Sequence, residues 1–163
     1  MATQQQFIEF LSEIEPSPST TQVCSAAHRT LRGKLAAHPT YKAIHRETYL
    51  SGSYARDTAL RPRVSDGTLR RPDVDIIVVA NHTQYDQPSD VISMLRRAVK
   101  QSGYEEIESN RRSICVTLGS VDMDVVPVIA NPWQPGGWLI ADKSDERWLE
   151  TNPMGHNDWA RAV

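Results

Sequence analysis

Apolar residues recur along this chain in two rhythms, one helical and one alternating. Phe7–Ile14 follows the helical rhythm and stops at Glu15-Pro16-Ser17-Pro18, because proline cannot continue a helix. A longer helix is expected from about Ser19 to Ala37, with Val23, Ala26, Ala27, Leu31 and Leu35 as its apolar face and Pro39 ending it. Pro88–Gln101 reads as another, with Val91, Ile92, Leu95, Ala98 and Val99 on one face and Gly103 as its stop. Asp73–Ala80 is a dense run of Val and Ile, suited to a central strand buried on both faces. Ser113–Leu118 and Val121–Ile129 flank a Gly119-Ser120 turn and predict a hairpin. Thr48–Leu50 predicts a short strand that feeds Gly52-Ser53 and then a short polar helix, Tyr54–Leu60. Tyr41–Glu47 fits neither rhythm, and Trp133, Trp138, Trp148 and Trp159 are expected after the sheet, packing a lid or an interface. Together these elements predict an α/β (α+β) fold, a mixed sheet with helices packed on one side.

The polar positions within this pattern carry the chemistry. Asp73 and Asp75 are two residues apart, so on a strand both carboxylates share one face while Val74 points into the core. Like charges held that close repel unless a cation lies between them. A third acid on a later strand, Asp124 or Asp122, would complete a divalent site. Two Mg²⁺ ions roughly 3.5–4 Å apart can clamp the attacking and leaving oxygens of a phosphoryl transfer. Mg²⁺ prefers oxygen ligands, and Mn²⁺ is an alternative at such a site. Gly52 lets the backbone approach a ligand, and Ser53 adds a hydroxyl donor for a phosphate oxygen. Gly-Ser alone is common in turns; its weight here comes from standing between a strand and an Asp-x-Asp strand. Nucleotidyl transfer from a nucleoside triphosphate is the expected reaction, set against a turn and hairpin with stray acids.

Composition narrows the partners. A chain of 163 residues fits one domain, and a net charge of −2 gives no general nucleic-acid footprint. Arg61, Arg63, Arg70 and Arg71, then Arg111 and Arg112, form local clusters: either a solvated surface or a positive rim for triphosphate. Cys24 and Cys115 have neither zinc nor disulfide spacing and are expected to be small buried thiols. His28, His38, His45 and His82 are scattered and read as structural. The chain has no signal peptide or membrane-spanning run, so no membrane partner and a reducing cytoplasm are expected.

Three stretches carry a family resemblance: Gly52-Ser53-Tyr54-Ala55-Arg56-Asp57-Thr58 continuing to Arg61-Pro62; Asp124-Val125-Val126-Pro127; and Trp148 through Thr151-Asn152-Pro153 to His156. They resemble the bacterial CD-NTases, oligonucleotide synthases related to cyclic GMP-AMP synthase within the DNA polymerase β-type nucleotidyltransferase superfamily. The resemblance implies a polymerase β-like palm over residues 1–163, with triphosphate held by Gly52 and Ser53. It implies Mg²⁺ bound by Asp73, Asp75 and Asp124, with Asp124 preferred to Asp122 because it directly precedes Val-Val-Pro. The expected product is a cyclic or short linear oligonucleotide messenger of anti-phage defence, made from NTPs. Two departures stand out: the polar segment Arg61–Pro72 is long for the family, and the family's C-terminal helical lobe is absent from this sequence. The alternatives are a nucleotide- or partner-binding lobe needing a second chain, or transfer to a protein or small-molecule acceptor. His156 is expected to serve a structural cap.

Overall fold

The computed structural model describes residues 3–65 and 67–162. A mixed sheet of seven strands forms the frame. Strand β4 (Asp73–Ala80) lies inside it, second from one edge, antiparallel to the edge strand β1 (His45–Ser51) and parallel to the central β7 (Val121–Ala130). β7 is long enough to divide its other edge. Its first half pairs with β6 (Ile114–Leu118), which pairs with β5 (Ile107–Ser109); its second half pairs with β8 (Trp138–Asp142), which pairs with β9 (Arg147–Thr151). Arg61–Pro72, expected as a polar connection, contains a separate hairpin of β2 (Arg63–Ser65) and β3 (Thr68–Arg70).

The alternation of β7 decides where the core sits. Val121, Met123 and Val125 are buried with Val74, Ile76 and Val78 of β4 under α2 (Pro18–Ala36) and α4 (Pro88–Gln101). The acids between them therefore face away from both helices. A smaller cluster of Ile77, Val79 and Val128, with Tyr49, Trp138 and Ile140, lies further along that opposite face. α4 matches its expected bounds and buries all five expected residues. α2 is capped by the Ser17 hydroxyl, which accepts from the Thr20 N–H, and has Pro18 in its first turn. Its buried face differs from the expected one: Cys24, Ala27, His28, Leu31 and Leu35 point inward, while Val23 and Ala26 are exposed. The stripe set by Leu31 and Leu35 runs back through Ala27 and Cys24 at helical spacing, which turns Val23 outward.

Other expectations also need correction. The helix expected over Tyr54–Leu60 ends early, as α3 (Gly52–Ala55), because the N–H groups of Arg56 and Thr58 both return to the Ser53 carbonyl and Asp57 turns left-handed at φ 56°. Trp138 and Trp148 lie within the sheet, on β8 and β9, not after it. α5 (Pro153–Ala162) is capped by Asn152, whose Oδ1 accepts from the Gly155 N–H, so the capping expected of His156 belongs to its neighbour. α1 (Gln4–Ile14) opens with a Thr3–Gln6 capping box and buries no residue, leaving Phe7, Ile8 and Phe10 exposed. No helix among the described residues is long and apolar enough to cross a membrane.

Candidate active site

The site is assembled by strand register. Parallel pairing sets Asp75 beside Asp124 and Asp73 beside Asp122, on the face opposite fully buried Val74. One carboxylate oxygen from each of Asp73, Asp75 and Asp124 lies within 4.8 Å of the others. On the other side of β4, antiparallel pairing puts Ser51 opposite Asp75, so the chain turns at Gly52 beside the carboxylates. Gly52 has φ +67°, and a Cβ there would lie 1.6 Å from Asp75 Oδ2. Only glycine fits that turn. Ser53 and Asp73 line one recess of about 330 Å³, together with Thr58, Arg61 and Arg71. Among the described residues the Ser53 hydroxyl makes no hydrogen bond, which leaves it available to a ligand in that recess. A larger recess of about 640 Å³ opens beside β1, between α2, α3 and α5, and none of the three acids lines it.

Asp122 is not among the three acids whose oxygens meet. It accepts from Thr117 Oγ1 at 2.8 Å and from Arg71 Nη1 at 3.4 Å, so its charge is already answered within the fold. Other members of the arginine clusters are similarly engaged. Arg61 donates to the carbonyls of Ser12 at 2.6 Å and Glu15 at 3.0 Å, pinning the end of α1, while Arg111 and Arg112 meet Asp142. The side chains of Arg63 and Arg70 lie outside the described residues. Tyr54 turns from the cleft to α2, donating its hydroxyl to the Thr21 carbonyl and packing edge-on against His28. His38 is structural, its Nδ1 accepting from the Tyr41 N–H. Cys24 is buried as expected, but Cys115 is only half-buried. Ile114 and Val116 take the core side of β6, which sends Cys115 to the acid side opposite Asp124.

The electrostatics fit a cation. Partial removal from water, then the charges of Asp124, Asp75 and Asp122, push the Asp73 carboxyl up to about 6. Asp75 is raised by burial and then by Asp124, with Arg56 opposing. Asp124 is raised by burial, opposed by hydrogen bonds from Ser113 Oγ and Asn110 Nδ2. A hard divalent cation bound by this all-oxygen donor set would relieve that mutual repulsion.

One pH dependence follows. An ordinary Asp titrates at about 3.9, so raising Asp73 favours protonation in the folded state. Its contribution to stability is present below about 4 and lost as pH rises through about 6. Without metal, the melting temperature of the native protein is expected to fall from pH 4 to 6.5 relative to that of Asp73→Asn. Added Mg²⁺ should recover more of it at pH 7 than at pH 5. Thermal melts with chelator and with Mg²⁺ test both signs; a melting temperature that rose over this range relative to the variant would contradict a repelling cluster.

A family model, described as the Second Messenger Oligonucleotide or Dinucleotide Synthetase domain, matches residues 1–163. The chain belongs to this family. It is 50% identical over 163 residues to a cyclic AMP-AMP-AMP synthase of an Acinetobacter strain, covering all of this chain and 47% of that protein. It is 37% identical over 128 residues to a cyclic AMP-AMP-GMP synthase of Enterobacter hormaechei, covering 77% of this chain and 32% of that one. The chain thus spans a third to a half of the length of these relatives. Among solved structures, it resembles the CD-NTase CdnG of Bradyrhizobium diazoefficiens in complex with GTP, with a TM-score of 0.74, 17% identity and coverage of 90% of this chain and 43% of that one. Apo DncV of Vibrio cholerae gives a TM-score of 0.69 at 13% identity, covering 94% of this chain and 58% of that chain. The fold of this chain is therefore that of the CD-NTases it resembles, the polymerase β-like palm expected from its sequence.

Proposed function

We propose that this domain is the catalytic lobe of a Mg²⁺-dependent nucleotidyltransferase that joins nucleoside triphosphates into a cyclic or short linear oligonucleotide messenger of anti-phage defence. Its main support is the meeting of Asp73, Asp75 and Asp124 within 4.8 Å of one another, beside a turn at Gly52 that only glycine fits. The curated relatives named above are cyclic oligonucleotide synthases. When bound, the cation supplies charge for the phosphate oxygens on which negative charge builds. Asp73, Asp75 and Asp124 would hold it, and Asp124 would help to take the proton from the acceptor hydroxyl as that oxygen bonds to the α-phosphorus and pyrophosphate leaves. Gly52 opens the backbone to the triphosphate, Ser53 donates to a phosphate oxygen, and Arg61, whose hydrogen-bond partners are backbone carbonyls, brings positive charge to the rim of the recess.

A second reading adds a helical lobe or partner chain that completes the cleft. The greater length of the relatives and the exposed apolar residues Phe7, Ile8 and Phe10 favour it. Incubation with four labelled ribonucleoside triphosphates and Mg²⁺ or Mn²⁺, followed by phosphatase, separates the two. Phosphatase-resistant product that vanishes in Asp73→Asn/Asp75→Asn supports the transferase. Metal-dependent triphosphate binding without product supports a lobe that needs completion, and neither activity nor binding rejects both.

A further inference from the structure

Asp124 is supported from outside the triad. Its Oδ1 accepts from Ser113 Oγ at 3.4 Å and Asn110 Nδ2 at 3.5 Å. Both donors sit in the turn between β5 and β6. The two residues between them, Arg111 and Arg112, converge on Asp142 at the end of β8. Arg111 Nε is 2.8 Å from each Asp142 oxygen, and Arg112 Nε is 3.0 Å from Oδ2. The Asp142 side chain is 0% exposed, whereas the two arginine side chains are 50% and 45% exposed.

The following turn, between β8 and β9, grips the same segment. Ser144 N–H donates to Asp142 Oδ1 at 3.1 Å, and Arg111 Nη2 donates to Asp145 at 2.6 Å. Lys143 N–H donates to the Arg111 carbonyl at 3.1 Å, and its Nζ donates to the Ser109 carbonyl and hydroxyl, each at 2.8 Å. A carboxylate fully removed from water is costly unless its lone pairs are filled, and here they are filled by groups that immobilise one turn. That turn carries the two donors on the third acid. Groups that orient metal ligands control affinity from outside the ligand set.

We propose that Asp142 is a positioning residue for the metal centre: through Arg111 and Arg112 it fixes the β5–β6 turn, and thereby the Ser113 and Asn110 donors that orient Asp124. This rests on the reading of the acid triad as a cation site. It gives the β8–β9 hairpin a task in the chemistry although none of its residues belongs to the triad. A purely structural Asp142 would affect stability alone; a positioning one acts on cation affinity, and only while its two intermediaries are present.

The test is titration of the protein with Mn²⁺ alone, followed by electron paramagnetic resonance without nucleotide. The set comprises wild type, Asp73→Asn, Asp142→Asn, Asn110→Ala/Ser113→Ala and the triple variant. Asp142→Asn is expected to weaken Mn²⁺ binding roughly 10-fold, the lower end of what ligand-orienting partners contribute. The double variant should lose at least as much, and the triple variant no more than the double. Unchanged affinity in a folded Asp142→Asn protein, or losses that add in the triple variant, overturns the proposal. If Asp142→Asn does not fold, Arg111→Gln and Arg112→Gln are read in its place, with the same expectation and the same overturning result. Wild-type protein that shows no Mn²⁺ binding sensitive to Asp73→Asn rejects the triad reading itself, and the positioning role with it. Binding lost in Asp73→Asn but intact in Asp142→Asn rejects the positioning role alone.

Discussion

Exchange of Asp73 or Asp124 for asparagine is expected to lower cation-dependent turnover of nucleoside triphosphates about 10³-fold or more, while the metal-free fold stays intact. The magnitude follows from removing a ligand to a cation that supplies several kcal/mol to the transition state, at about 1.4 kcal/mol per decade of rate. Asparagine keeps the shape and deletes the charge. Each variant also removes one member of the carboxylate cluster whose repulsion raises Asp73, so its melting temperature in chelator should exceed that of the native protein near neutral pH. Activity and stability therefore move in opposite directions, which misfolding would not produce. Turnover retained within tenfold in either variant would remove that residue from the triad.

Gly52→Ala is expected to be nearly as damaging, for a different reason. The left-handed backbone at φ +67° costs a non-glycine residue about 1–2 kcal/mol. The added methyl must also displace Asp75 Oδ2, from which it would lie 1.6 Å. Gly119 isolates the two effects: it has φ +60°, but nothing lies within 4 Å of where its Cβ would be. Gly119→Ala should lower stability by about 1 kcal/mol and leave Mn²⁺ affinity alone, because only the conformational term applies. Gly52→Ala should lower both, with Mn²⁺ affinity falling about 100-fold. Equal losses of stability in the two variants, with Mn²⁺ affinity intact, would mean that Asp75 simply swings aside.

Much of this is legible in the sequence, because strand periodicity is strict. Asp73, Val74 and Asp75 must alternate between cleft and core, and α4 declares its face through five apolar residues at helical spacing. What escapes is short or non-local. β5 and β9 are 3 and 5 residues long, and their stability comes from pairing with neighbours that local pattern cannot reveal. The exposed Val23 and buried His28 show an apolar count giving way to the geometry of the surface beneath α2. Asp142 escapes altogether, because a lone acid in Ala-Asp-Lys-Ser carries no sign that two arginines about thirty residues earlier will close over it. Strand spacing alone leaves Asp122 open beside Asp124; the structure adds that Asp122 is engaged by Thr117 and Arg71, while Asp124 meets Asp73 and Asp75.

The matched register of β4 and β7 also constrains how such a protein can change over generations. A single inserted residue within either strand would exchange the two faces beyond it, turning carboxylates toward the core and valines toward the cleft. Chemistry and folding would be put at risk in the same step, unless the extra residue were looped out as a bulge. Length variation is instead admissible outside these two strands, as in the separate hairpin of β2 and β3, which pairs with neither of them. Within the two strands a substitution leaves the facing pattern in place, whereas an insertion must be absorbed as a bulge.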